Sequence, residues 1–166
     1  MEAWPVSGNQ SVLQRTSVLC NSEAFSDVRL FVGPEGTQFY GHKFILAVGS
    51  PFFEKLFFGS MPSRDGLVTL PTIEPSVFQR LLRYMYTDEF IPADDEDDEW
   101  ELLELSKMCL IPSLTAKCAM SLVQQLRSDN VLHILSRAMA IDEGCVVEAS
   151  LRYFDWLVSS SQVKIM

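Results

Sequence analysis

Apolar and polar positions alternate from Asp27 to Val32, with Val28, Leu30 and Val32 on one side, and this period of two predicts a strand with one buried face. Gly33-Pro34-Glu35-Gly36 reads as a turn, and Thr37-Gln38-Phe39-Tyr40 as the returning strand of a hairpin. The stretch Gly41–Gly59 is almost wholly apolar and is interrupted by Gly49-Ser50-Pro51. It predicts two short helices that form the middle of a core. Ser50 suits the N-cap of the second helix and Pro51 its first turn, where a missing N–H leaves nothing unpaired. Phe52, Phe53, Leu56 and Phe57 give that helix its apolar face, and Gly59 is placed to end it in the left-handed conformation.

The same reading carries through the rest of the chain. Ser11–Cys20, with Val12, Leu13, Val18 and Leu19, predicts a short amphipathic helix, and residues 1–10 a disordered lead that includes Trp4. Leu67–Leu70 predicts a third strand. Pro75 opens a helix with Val77, Phe78, Leu81, Leu82 and Met85 on one face, and Phe90-Ile91 is a candidate sheet edge. Helices are then predicted from Trp100 to Cys109 and from Pro112 through Leu114, Cys118, Leu122 and Leu126. Past a boundary near residue 127, Asp129 is placed to cap a helix carrying Val131, Leu132, Leu135, Ala138 and Met139. Gly144 breaks it, and a last helix shows Val147, Leu151, Phe154 and Val158 in one stripe. The fold class is α+β, with a small three-stranded sheet among helices and then an all-α fragment. Two helices are thin support for an independent core, so residues 128–166 read as a truncated helical domain.

Composition narrows the function. Thirteen basic against twenty-two acidic residues give a net charge of −9, and six of the acids form the run Asp94–Glu99. An acidic chain without a basic cluster lacks the phosphate-neutralising groups that supply most nucleic-acid affinity, so no nucleic-acid partner is expected. No apolar run is long enough for a membrane span, and residues 1–10 carry no basic and apolar regions of a secretory signal. Cys20, Cys109, Cys118 and Cys145 lie inside apolar patterns without Cys-x-x-Cys spacing, which predicts reduced buried thiols rather than disulfides or zinc. The acidic run lacks the liganding alternation and glycine of a calcium loop. It reads as a solvated loop, with steering of a basic partner as the functional alternative. His42 and His133 have no companions that make chemistry, so both read as structural. Phosphate loops, nucleophile elbows, zinc-helix motifs and apolar carboxylate pairs are all missing, so neither catalytic residues nor a cofactor are expected.

Several stretches together resemble the BTB/POZ domain. They are Ser26-Asp27-Val28, Gly41-His42-Lys43, Leu46–Phe53, Phe78 with Leu81–Thr87, Leu105-Ser106-Lys107 and Ile111–Leu114, spread over residues 11–126. Residues 128–166 are similar to the first helices of a BACK domain, and the wording of the central stretch is closest to the BTB–BACK–PHR group. The resemblance implies a homodimer whose interface holds Val12, Leu13, Val18 and Leu19, with Asp27 and Lys43 lining a charged pocket at the seam. It also implies recruitment of cullin-3 through Phe57, Phe58, Ser60, Met61 and Trp100. Such a protein is a substrate adaptor of a ubiquitin ligase in the cytoplasm or nucleus, its substrate held by a further C-terminal domain. Met61 supplies the hydrophobic residue of the family's cullin motif, but Ser63 stands where Glu is expected. The alternative is a dimeric scaffold or transcription regulator that recruits a corepressor without cullin.

Overall fold

The computed structural model describes residues 11–59, 66–93 and 95–162. Its elements run α1 (Val12–Ser17), β1 (Val28–Val32), β2 (Thr37–Gly41), α2 (Lys43–Gly49), α3 (Pro51–Phe58), β3 (Leu67–Leu70), α4 (Pro75–Thr87), α5 (Glu96–Met108), α6 (Pro112–Gln124), α7 (Val131–Ala140) and α8 (Gly144–Gln162). They form two compact units. One holds the chain up to Ile91 together with Leu105–Ile111, the other Pro92–Glu104 and the chain from Pro112 onward. This division does not follow the boundary read near residue 127, because α6 belongs with α7 and α8.

The first unit is built on a sheet of order β2-β1-β3. β1 pairs antiparallel with β2, Leu30 opposite Phe39, and parallel with β3, Leu30 opposite Val68. The turn between β1 and β2 needs glycine at both ends, since Gly33 and Gly36 have φ of +79° and +66°. The predicted alternation buries Val28, Leu30 and Val32. α4 covers this face with Val77, Phe78, Leu81 and Leu82, and the rings of Phe39 and Phe78 meet edge to face at 5.2 Å. α1 lies on α4, and the Thr16 hydroxyl reaches the Tyr86 carbonyl at 2.9 Å. α3 starts as its sequence predicts: Ser50 Oγ accepts the Phe53 N–H, and it also donates to the Cys109 carbonyl at 2.5 Å, fixing α3 to the end of α5.

Several expectations for this unit are corrected. The apolar pair of helices is not wholly central: α2 buries only Leu46, and Phe44 and Val48 are each 74% exposed. Seven residues present too narrow a face to bury more than one side of the turn. α3 buries Phe53 and Phe57, with Phe52 and Leu56 half-buried. Gly59 is extended, not left-handed (φ −71°, ψ −173°). Its glycine is required by close approach, since a Cβ there would collide with the Lys55 carbonyl oxygen. Phe90-Ile91 adds no strand among the described residues; the Ile91 carbonyl instead accepts from the Arg80 guanidinium at 2.9 Å. The first helix is shorter than Ser11–Cys20 and ends at Ser17.

The second unit packs α6 and α7 on α8. Glu96–Glu99 of the acidic run are not a solvated loop but the first turn of α5, where carboxylates complement the helix dipole. Glu96 Oε1 is bonded to His133 Nδ1 (3.0 Å), and Glu96 Oε2 accepts from Asn130 Nδ2 (3.1 Å). Asp97 pairs with Arg137, whose guanidinium lies 5.1 Å from the centre of the Trp100 ring. His133 is therefore a partner of the acidic turn rather than an isolated residue. Asn130, not Asp129, occupies the N-cap of α7. α7 buries Val131, Ile134 and Ala138, leaving Leu132 and Met139 outside. α8 buries Val146 and Ser150 rather than the predicted stripe, of which Leu151, Phe154 and Val158 are exposed. Of the cysteines, Cys109 and Cys118 are buried as expected, Cys20 is half-buried and Cys145 is exposed.

Candidate protein-interaction surface

The junction between β2 and α2 is held by a buried polar network. His42 Nε2 lies 2.8 Å from the Ala24 carbonyl, and His42 Nδ1 lies 2.7 Å from Tyr86 Oη. A carbonyl only accepts, so Nε2 carries the proton and donates. Nδ1 is then the acceptor for the Tyr86 hydroxyl, and the Tyr86 oxygen accepts the His42 backbone N–H at 3.0 Å. Each polar group in the cluster finds a partner. Burial is the main cause that raises the Tyr86 hydroxyl well above the ordinary tyrosine range, with the His42 N–H bond acting against it. This bears out the structural reading of His42.

The same junction clamps the loop between α1 and β1. Asn21 Oδ1 accepts from the Tyr40 N–H (2.9 Å), Ser26 N–H donates to the Glu23 carbonyl (3.1 Å), and Asp27 N–H to the Gly41 carbonyl (3.2 Å). Asp27 Oδ1 accepts the Lys43 N–H at 2.7 Å, capping the first turn of α2. The structure thus joins Asp27 to the backbone of Lys43. Within this clamped loop Phe25 adopts φ +61° with its side chain 79% exposed. A non-glycine residue pays about 1–2 kcal/mol for that conformation, and the exposed ring regains little by burial. Nothing in the sequence period marks Phe25, because it lies in a loop.

α1 carries Val12 and Leu13 exposed and Val18 and Leu19 half-buried just past its end. A capping box fixes its start, Ser11 Oγ accepting from Gln14 N–H and Gln14 Oε1 from Ser11 N–H. Between α1 and α4 lies a groove of about 620 Å³, lined by Leu13, Cys20, Leu82 and Arg83 among others. Burial raises the Cys20 thiol above the ordinary range, and the nearby Arg83 charge opposes this. Arg83 pairs with Glu89 at 2.9 Å at the rim.

Of the residues assigned to a cullin surface, Phe58 is exposed at the end of α3. Phe57 and Trp100 are buried, so neither can touch a partner from this conformation, and their assignment as contacts is corrected. The reason is helical phase: Phe57 continues the inward face set by Phe53, and Trp100 is sealed under Arg137. Ser60 and Met61 lie outside the described residues, as does Trp4. Among the described residues no cluster of three His, Cys, Asp or Glu side chains could hold a metal ion, and no helix is long and apolar enough to cross a membrane.

Residues 17–126 match the family described as BTB/POZ domain. The chain belongs to the BTB/POZ family. BTB/POZ domains are protein-interaction modules rather than enzymes, and they commonly dimerise and bind partners. BTB/POZ domain-containing protein 6-B of Danio rerio is 30% identical over 161 residues, 96% of this chain and 32% of that protein. BTB/POZ domain-containing protein 6 of Homo sapiens is 32% identical over 132 residues, 78% of this chain and 24% of that protein. The chain thus spans about a third or less of the length of these relatives. The BTB domain of human gigaxonin shares the fold, with a TM-score of 0.53 at 22% identity, covering 72% of this chain and 98% of that one. The α+β class with a small three-stranded sheet among helices is the fold of that family.

Proposed function

We propose that this chain is the dimerising and cullin-recruiting part of a ubiquitin-ligase adaptor. One copy binds a second through α1, and each binds cullin-3 through the end of α3 and the Ser60–Met61 segment that follows. α7 and α8 are assigned to the start of a BACK domain, and substrate selection to a further domain. The observation that carries the reading is the exposure of Val12 and Leu13 on a capped helix within a family of dimerising interaction modules. The exposed Phe58 adds an apolar side chain at the end of α3, three positions before Met61 in the sequence. α7 and α8 lie past the residues that match the BTB/POZ family, and the alignment with the Danio rerio relative, over 161 residues, continues beyond that match.

Calorimetry with the N-terminal domain of cullin-3, on material whose mass is set by light scattering, tests the proposal. One cullin per protomer, lost in M61D and F58D with the dimer intact, is the expected result. A clean dimer that binds no cullin gives the lead to the scaffold or corepressor-recruiting reading, which Ser63 in the place of Glu favours.

A further inference from the structure

We draw no further inference here: the strongest candidate, the exposed apolar ridge of Leu151, Phe154 and Val158 along α8, carries none, because nothing in the structure shows what covers it.

Discussion

Tyr86 Oη lies 2.7 Å from His42 Nδ1 and accepts the His42 backbone N–H at 3.0 Å, so one hydroxyl at the end of α4 holds the junction where β2 turns into α2. Both residues are buried, and neither nitrogen has water to fall back on. Y86F removes the oxygen and keeps the ring, which leaves a buried N–H and a buried ring nitrogen unpaired. We expect a loss of about 1–3 kcal/mol in urea unfolding. A loss under about 0.5 kcal/mol would mean that the hydroxyl is not what satisfies them.

The first unit should weaken in alkali. Burial pushes the Cys109 thiol from 9.0 up to about 12, raises the Cys20 thiol against the opposing Arg83 charge, and raises the Tyr86 hydroxyl. Each is held protonated more strongly in the folded chain than in the unfolded one. Their contribution is complete below the unfolded values and is lost as pH rises through the folded ones, so the window opens near pH 9 and extends to about 12 at Cys109. For the buried Cys109 thiol the slope approaches about −1.4 kcal/mol per pH unit, and the half-exposed Cys20 adds less. Urea midpoints at pH 8, 9.5 and 10.5 check this, and C109A should flatten the fall. Equal midpoints across the series would contradict it.

Gly41 makes a sharper demand on space than any turn glycine. A Cβ at this position in β2 would lie 2.9 Å from Leu46 Cδ1, 2.9 Å from Val28 Cγ1 and 3.0 Å from Leu30 Cδ1. These three side chains are buried, and they come from α2 and β1, so no single neighbour can move aside alone. G41A should destabilise by about 1–3 kcal/mol through overpacking. G36A serves as the comparison: nothing lies within 4 Å of its Cβ, so its cost comes from the left-handed backbone alone. If G41A unfolds at the wild-type urea midpoint, the β1–α2 packing around it is looser than these distances imply.

What can be read from the sequence is local. Val28, Leu30 and Val32 carry their period of two within five residues, Ser50-Pro51 announce a helix start within a turn, and the α4 face repeats every three or four positions. The corrections fall where the deciding partner is distant. Glu96 reads as part of a loop because its run of charge masks a helix start, and its partners Asn130 and His133 come 34 and 37 residues later. Nothing local marks the bonding role of Tyr86, because His42 is 44 residues away. The stripe Val147, Leu151, Phe154 and Val158 is a real helical period, but α8 turns another face inward, and periodicity cannot say which of two apolar faces is buried. Phe57 and Trp100 mislead as contact residues for a related reason, since large apolar side chains serve cores and interfaces alike.

The clasp between α5 and α7 separates buried from exposed electrostatics. Asn130 is buried and uses its whole side chain: Nδ2 donates to Glu96 Oε2 (3.1 Å) and to the Gln125 carbonyl (3.0 Å), and Oδ1 accepts the Arg127 N–H at 2.7 Å. Asp97 also bridges the two helices, through Arg137, but its side chain is 73% exposed. Screening by water leaves such a pair worth roughly 0–1 kcal/mol. N130A strips partners from a carbonyl, an N–H and a carboxylate together and should cost about 1–3 kcal/mol. Amide hydrogen exchange along α7 tells them apart: N130A should quicken it about 10-fold or more, D97N by less than about 5-fold. Arg137 keeps its place over Trp100 in D97N, so the aromatic half of the contact survives that change. Should D97N prove the more damaging of the two, the pairing that looks peripheral would be what holds the acidic turn to α7, and the buried Asn130 bonds would be the lesser contact.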